Sequence, residues 1–436
     1  MNKSLLAAVA AGAILLLSGC SPIQMDVEEL MSPPKLTAEQ AEIDSALKQA
    51  LGENVKLKYP KSGDFRSAFV FHDIDGDGEE EAIVFYQLDS SSTTWLTVMD
   101  RTDGQWRSTY SSSGLGDDVD FISFANVTDP QREDIVIGWS GESQGDNKVS
   151  LYTYEDGRLR SMFKDSYQQL VIVPSDEEGM DQLVLLTLGD SQSSTAKLVR
   201  KRGTRVAQSS KVDLNGKARE FAQIAYGSLP DGTKALFVDE MVSGGQMATE
   251  VLAIQNGELR NLMQEDEEET NFSATRRDIQ VECMDVDGDG YLEIPTATLM
   301  PGYRELQEGE RLYQVTFCSM EDGALVEKQT AAVNLSQGYM IRYPDSWNGR
   351  VTVIVQHETG EWIFVAYDGS LENSREVLLK MRVYSQNDYR DPFDMENYRL
   401  IDRKGMFEYY AYIPPEKNSR LAITYDQLEQ ELFQRL

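Results

Sequence analysis

The stretch Asp73-Ile-Asp-Gly-Asp-Gly-Glu-Glu-Glu81 is an acidic loop between two apolar runs, AFVF before it and AIVFY after it. Nearly the same string returns 212 residues later as Asp285-Val-Asp-Gly-Asp-Gly-Tyr-Leu-Glu293. Short apolar runs bounded by Gly, Asp, Asn and Ser are typical of β-strands. The loop therefore predicts a strand–loop–strand unit that the chain contains at least twice.

This unit repeats along most of the chain. Positions equivalent to Glu81, each directly before an apolar strand, recur about every 50 residues, at Asp134, Asp181, Lys234, Glu293 and Arg350. Glycine-containing hairpin turns recur in phase at Gly104, Gly157, Gly203, Gly257, Gly323 and Gly369. Four antiparallel strands in about 50 residues is the size of a propeller blade. We predict an all-β fold, a seven-bladed β-propeller of four-stranded antiparallel blades, with six blades as the alternative.

The seventh blade is incomplete in the sequence. Strand-like runs near Val377–Tyr384, Tyr398–Asp402 and Phe407–Ile413 follow the sixth unit, and Asn54–Tyr59 precedes the first unit. We expect Asn54–Tyr59 to supply the missing strand. Such closure of the ring would remove the exposed strand edges that promote aggregation.

Short helices are predicted at both ends of the propeller. Thr37 and Gln40 form a capping box before a helical pattern that Gly52 ends. Thr424 is the expected cap of a second helix, Tyr425–Leu436. The predicted divisions are an N-terminal helix at 37–53, the propeller at 54–416 and a C-terminal helical segment at 417–436.

The N-terminus predicts export. Lys3 is followed by the apolar run Leu5–Leu17, which is too short to span a bilayer. The run ends in LSGC, which resembles the lipobox of bacterial lipoproteins, whose lipidated cysteine becomes the mature N-terminus. The resemblance implies a signal peptide at 1–19, an acylated Cys20, palmitate included, and a flexible tether at 20–36. An ordinary signal peptide that contains Cys20 is the alternative; with the lipid, the chain would be anchored to the cell membrane and face outside the cytoplasm.

The charge balance excludes one large class of partner. The 436 residues include 73 acidic and 41 basic ones, which give a net charge of −32. Nucleic acid binding requires Lys and Arg to displace counterions from phosphates, so we expect no nucleic acid partner. The acidic surface instead suits a monomeric exported protein with oxygen ligands for hard cations.

The two acidic loops are candidate metal sites. Carboxylates stand at positions 1, 3, 5 and 9 of each loop, glycines stand at positions 4 and 6, and position 7 offers its backbone carbonyl. The predicted ligands are Asp73, Asp75, Asp77, Glu79 and Glu81 in the first loop, and Asp285, Asp287, Asp289, Tyr291 and Glu293 in the second. Oxygen-only ligands in a flexible loop favour Ca²⁺, so we predict two structural Ca²⁺ sites. An EF-hand is excluded because Val84 and Thr296 stand where it needs Glu.

The loop pattern resembles that of the FG-GAP or VCBS-type repeat proteins. Their integrin-like propeller blades carry a D-x-D-G-D-G-x-x-E calcium loop between the first two strands, and the resemblance covers roughly residues 60–415. The second and third units preserve only fragments of the loop, and the FG-GAP tripeptides are not visible. In the fourth and sixth units Lys234 and Arg350 occupy the final ligand position, so no metal is expected there.

Signals of catalysis are weak. Gly141-Glu-Ser143-Gln-Gly145 matches a nucleophile elbow, but the flanking residues read as two strands of a hairpin rather than strand and helix. Cys283 and Cys318 are expected to be buried thiols without a disulfide, and Trp347, in a polar loop, is a candidate for sugar stacking. We therefore predict a binding or scaffold module for a protein or glycan, with no catalytic residues. A surface enzyme that acts on polysaccharide through carboxylates is the alternative.

Overall fold

The computed structural model describes residues 36–89, 91–141, 147–189, 194–215, 217–263, 271–385, 395–415 and 419–436. The predicted signal peptide, Cys20 and Ser143 lie outside these residues. Within the described residues, no helix is long and apolar enough to cross a membrane.

Six antiparallel sheets, numbered 1 to 6 in chain order, make up most of the described chain. Sheet 1 contains β1 (Val55–Leu57), β2 (Phe69–His72), β3 (Glu81–Leu88), β4 (Thr94–Thr102) and β5 (Gln105–Ser113). Sheet 2 contains β6 (Asp118–Asp129), β7 (Arg132–Ser140), β8 (Lys148–Glu155) and β9 (Arg158–Ser166). Sheet 3 contains β10 (Gln169–Pro174), β11 (Asp181–Thr187), β12 (Thr195–Arg202) and β13 (Arg205–Asp213).

The second half of the chain forms the other three sheets. Sheet 4 contains β14 (Glu220–Ser228), β15 (Lys234–Met241), β16 (Met247–Gln255) and β17 (Glu258–Asn261). Sheet 5 contains β18 (Ile294–Leu299), β19 (Tyr313–Glu321), β20 (Ala324–Asn334), β21 (Tyr339–Arg342) and β27 (Phe433–Arg435). Sheet 6 contains β22 (Val351–Gln356), β23 (Glu361–Ala366), β24 (Val377–Ser385), β25 (Arg399–Lys404) and β26 (Phe407–Tyr412). The helical segments are α1 (Ala38–Leu51), α2 (Asn271–Ala274), α3 (Tyr425–Gln427), a π-helical turn at Leu428–Leu432 and 3₁₀ turns at Ser243–Gly245, Glu308–Glu310 and Asp345–Trp347.

The predicted hairpin turns join the last two strands of most sheets. Asp103 and Gly104 both have positive φ, 55° and 75°, as a type I′ turn requires. The same pair of positive angles recurs at 156–157, 256–257 and 322–323. The prediction for Gly369 is wrong, because this residue lies in the longer connection 367–376 between β23 and β24.

Consecutive sheets pack face to face. One hydrophobic cluster joins sheets 1 and 2, and further clusters join sheet 2 to 3, 3 to 4, 4 to 5 and 5 to 6. Strands such as β3 are therefore buried on both faces, as their continuous apolar runs predicted. The all-β fold is confirmed, and the serial packing of antiparallel sheets is consistent with a propeller.

The predicted closure by Asn54–Tyr59 is wrong. In the structure β1 pairs with β3 of its own sheet, with Val55 opposite Leu88. The outer face of sheet 1 is instead covered by α1, whose Ile43 and Leu47 are fully buried. In the described part of the chain, no hydrophobic cluster joins sheet 1 to sheet 6.

The end of the chain also differs from the expectation. The strands after Ser374 complete sheet 6, and the described residues form no seventh sheet. Thr424 caps a helix as predicted, but α3 and its π-helical turn end at Leu432 and β27 follows. The β27 strand pairs with β21, which itself pairs with β20 and so belongs to sheet 5.

The predicted start and end of the N-terminal helix are confirmed. The Thr37 hydroxyl accepts a hydrogen bond from the Gln40 amide at 3.2 Å, and the Gln40 side chain accepts one from the Thr37 amide at 3.1 Å. Gly52 ends the helix with a φ of 97°. This reciprocal cap satisfies two backbone donors that the first turn of a helix leaves unpaired.

Candidate metal centres

The two acidic loops occupy matching positions before a buried strand. We call Asp73–Glu81 loop 1 and Asp285–Glu293 loop 2. Loop 1 joins β2 and β3, which pair beside it through His72 and Glu81. Loop 2 is closed by a single bridge between Met284 and Glu293 and leads into β18. Loop 1 lies between two strands, and loop 2 lies between a stretch of extended chain and a strand. Because an EF-hand loop lies between two helices, neither loop is an EF-hand.

The first aspartate organises each loop through the backbone. In loop 1, Asp73 Oδ1 accepts a hydrogen bond from Gly76 N at 2.7 Å, and Oδ2 accepts one from Gly78 N at 3.0 Å. In loop 2, Asp285 accepts from Gly288 N at 2.7 Å and from Gly290 N at 2.9 Å. All four glycines have φ between 80° and 92°, a region that side chains disfavour. The glycines thus permit the tight turn.

The middle positions of the two loops also match. Asp75 accepts from the Asp77 amide at 3.2 Å, and Asp77 accepts from the Glu79 amide at 2.8 Å. The equivalent bonds in loop 2, to Asp287 and Asp289, measure 3.1 and 2.8 Å. Each carboxylate therefore uses one oxygen on the backbone and keeps further lone pairs for another ligand.

The last carboxylate of each loop is buried. Glu81 and Glu293 are each 1% exposed, and each accepts one hydrogen bond at 2.9 Å, from the amides of Ile74 and Val286. Burial raises the pKa of both carboxyls to about 7; the backbone hydrogen bond opposes this shift, and the neighbouring aspartates add to it. A bound cation would stabilise the ionised form of both groups.

The carboxylates converge as a metal site requires. In loop 1, oxygens of Asp73, Asp75 and Glu81 lie within 4.8 Å of one another, as do those of Asp285, Asp287 and Asp289 in loop 2. Among the described residues, no Lys or Arg forms an ion pair with either loop; Lys328, near loop 2, pairs with Glu321 at 2.6 Å. Oxygen donors without a protein counter-charge fit Ca²⁺.

Not every predicted ligand joins these groups. Asp77 and Glu79 in loop 1 are exposed, Tyr291 is half-buried, and Glu293 lies outside the converging triad of loop 2. The ligand roles of all ten residues stay predictions, and Asp77, Glu79, Tyr291 and Glu293 lie outside the converging groups.

Protein cations contact the degenerate loops, and in loop 2 Arg342 Nη1 donates to the Val286 backbone carbonyl at 2.9 Å. In the third unit, Arg200 forms ion pairs with Asp176 at 3.0 Å and Glu177 at 2.7 Å. Its guanidinium lies against Gly257 of sheet 4, where a Cβ would come within 1.8 Å of Nη1. The second and fourth units show the same tendency: Lys201 Nζ donates to the Thr128 carbonyl, and Lys234 Nζ donates to Ser228 Oγ at 2.6 Å.

Sequence reasoning missed a buried charged group next to loop 2. Arg277 and Asp239, both with fully buried side chains, form an ion pair of 2.8 Å. Asp239 also accepts from the Cys283 amide at 2.7 Å, and Thr249 donates to it at 2.6 Å. The one signal in the sequence was the pair Asp239-Glu240 at the end of the apolar run ALFV.

The other candidate residues that the structure describes are buried in the fold. Cys283 and Cys318 are buried free thiols, as predicted. The prediction that Trp347 stacks on a sugar is wrong, because this side chain is 0% exposed and its indole N–H donates to the Leu421 carbonyl at 2.8 Å. Ser143 itself lies outside the described residues, and the described strands before and after it, β7 and β8, are neighbours in one sheet.

Comparison with known proteins identifies no family. No family model matches the chain, and no curated protein matches it. Among solved structures, the exotype rhamnogalacturonan lyase YesX aligns with 14% identity and a TM-score of 0.26 over 70% of this chain. The aligned part spans 61% of the lyase, and we draw no conclusion about activity from it.

Proposed function

We propose that this chain is a lipid-anchored binding or scaffold module for a protein or glycan, without catalytic activity, and that loops 1 and 2 each bind a structural Ca²⁺. The observation that carries the proposal is the matched hydrogen-bond pattern of the two loops, whose carboxylates converge and form no ion pair with a described Lys or Arg. Both loops lie within the strand framework, so a bound ion would stabilise the sheets rather than take part in chemistry.

The propeller is proposed to have six blades. Each sheet packs on the next one in the chain, and the strands expected to form a seventh blade belong to sheets 1 and 6. The likeness to FG-GAP or VCBS-type repeats extends to the two calcium loops and to the repeat length.

The anchor is proposed to be a lipid on Cys20, on the extracytoplasmic side of the cell membrane. Its support is the LSGC motif after a short apolar run. Incorporation of labelled palmitate into the chain, and its loss in Cys20→Ala, would test this.

Calcium titration followed by calorimetry tests the loops. We expect Ca²⁺ to raise the unfolding temperature of the wild-type chain, because a ligand that binds only the folded state stabilises it. Half of the effect should come at about 10⁻⁴ to 10⁻³ M, the range of extracellular calcium modules. Asp75→Ala and Asp287→Ala should each reduce the shift, and the exposed Glu42→Ala in α1 should not.

An unfolding temperature that is indifferent to Ca²⁺ and to chelator would refute the calcium sites. The binding role needs its own test, a protein and glycan array probed with the Ca²⁺-loaded chain. An array on which nothing binds would refute a binding role, whatever the loops do.

A further inference from the structure

A cavity of about 530 Å³ lies where sheets 4, 5 and 6 meet. Its wall includes the turn after β15, the segment before loop 2, the β18–β19 connection and the turn after β20. No residue of loop 1 or loop 2 lines it. The volume falls within the range of small-molecule sites, about 300–1,000 Å³.

A fixed carboxylate forms the polar side of this cavity. Asp278 Oδ2 accepts a hydrogen bond from the Tyr313 hydroxyl, and Oδ1 accepts one from Gln246 Nε2, both at 2.9 Å. Each oxygen keeps a lone pair, and so does the Tyr313 hydroxyl. The carboxylate is therefore oriented before any ligand arrives, which lowers the entropic cost of binding.

Hydrogen-bond donors stand beside this carboxylate. Arg311 Nε donates to the Leu306 carbonyl at 3.0 Å, and its guanidinium lies close to Tyr313 in the cavity wall. Trp362 of β23 also lines the cavity. The wall thus offers both hydrogen-bond donors and acceptors.

Apolar surface completes the site. Trp362 is 8% exposed and is held edge-to-face by Tyr339 at 6.1 Å. Leu335, on the turn after β20, is 46% exposed at the cavity rim. The wall thus combines polar groups with aromatic and aliphatic surface, as sites that bind small organic ligands do.

Charge selects among the possible ligands. Asp278, Glu308 and Arg311 are the charged lining residues, and the whole chain carries −32, so an anionic ligand would be repelled. A polyhydroxylated molecule both donates and accepts hydrogen bonds, and the C–H faces of its rings suit aromatic and aliphatic walls. We propose that this cavity binds a neutral oligosaccharide, with Asp278, Tyr313 and Arg311 as its hydrogen-bonding residues; this inference rests on the proposed function as a binding module.

The test is calorimetric titration of the full, Ca²⁺-loaded chain with defined probes. The probes are hexasaccharides of neutral β-glucan, xylan, mannan, galactan and chitin, with an oligogalacturonide and a lysine-rich peptide as charged comparisons. We expect at least one neutral hexasaccharide to bind. Asp278→Ala should weaken that binding by about tenfold or more, because hydrogen bonds to a charged group are lost. Tyr313→Phe should weaken it less.

A matched control lies in the neighbouring cavity. Tyr367 lines a cavity of about 860 Å³, and its hydroxyl donates to the Gly369 carbonyl at 2.7 Å. Tyr367→Phe should leave oligosaccharide binding unchanged, and calorimetric unfolding of each variant establishes that it is folded. Should Asp278→Ala fail to fold, Tyr313→Phe and Arg311→Met provide the same comparison.

Three results would overturn the assignment. The first is that no neutral hexasaccharide gives a heat of binding at about 10 mM, a concentration far above a Kd of 1 mM. The second is that the folded cavity variants bind the hexasaccharide as tightly as the wild type does. The third is that only the cationic peptide binds. If the glycan, or a protein, binds elsewhere on the chain, the assignment of binding to this cavity is refuted, but the proposed function as a binding module is not.

Discussion

Glu240 gives a quantitative test of the packing between sheets 3 and 4. Its side chain lies on β15, is 0% exposed, and neither carboxylate oxygen has a hydrogen-bond partner among the described residues. Burial raises the pKa of Glu240 to about 8; the charge of Glu250 adds to the shift, and Arg276 opposes it. The folded protein therefore keeps this carboxyl protonated at neutral pH.

The effect on stability follows from the two pKa values. The unfolded carboxyl has a pKa near 4.5, so the folded state binds this proton more tightly than the unfolded state does. The contribution to stability is complete below pH 4.5 and is lost as the pH rises toward 8. One pKa unit is worth about 1.4 kcal/mol, so the loss at pH 7 is about 3 kcal/mol.

Glu240→Gln removes this titration and keeps the size of the side chain. We expect the variant and the wild type to have similar stability near pH 4.5, and the variant to be more stable by about 3 kcal/mol at pH 7. Urea denaturation at a series of pH values, with Ca²⁺ constant, measures the difference. Glu358→Gln, on the exposed β22–β23 turn, is the control and should show no such trend. A difference that is the same at every pH would refute the reasoning.

Three further substitutions test other contacts. Asp239→Asn leaves the charge of Arg277 buried and uncompensated, so we expect a loss of about 3–5 kcal/mol in urea denaturation; an effect below about 1 kcal/mol would mean that water reaches this pair. Gly257→Ala should cost about 1–3 kcal/mol, because φ is 70° and the new Cβ would meet Arg200; a neutral result in the same assay would contradict that geometry. Arg200→Met should cost about 1 kcal/mol or less, since its partners are half exposed, and salt should reduce the difference.

The local structure of the loops could be predicted from the sequence. Glycines at positions 4 and 6 and aspartates at alternate positions fix a turn whose hydrogen bonds are nearly all internal, so Asp73 and Asp285 meet the same partners. The positive φ of the Asp-Gly hairpins is similarly local. Such features depend on a few adjacent residues and therefore can be read from the pattern alone.

Strand pairing at the ends of the chain could not be predicted in this way. β2 pairs only with residues 81–84 of β3 and leaves 86–88 with a free edge, which β1 then occupies. β21 likewise takes the free edge of β20, and β27 takes the free edge of β21. Which free edge a short strand joins depends on the whole fold. Arg200 was missed for a similar reason, because it reaches Asp176 and Glu177 from two strands further along the chain.

The helix α1 has a consequence for how these molecules meet one another. An uncovered apolar face of a sheet is a surface on which a second molecule could pack. Ile43 and Leu47 of α1 cover the outer face of sheet 1. The other side of the helix includes Glu39, which forms an ion pair with Arg101 at 2.5 Å. The first helix after the predicted tether thus removes apolar surface through which copies of this chain would otherwise associate.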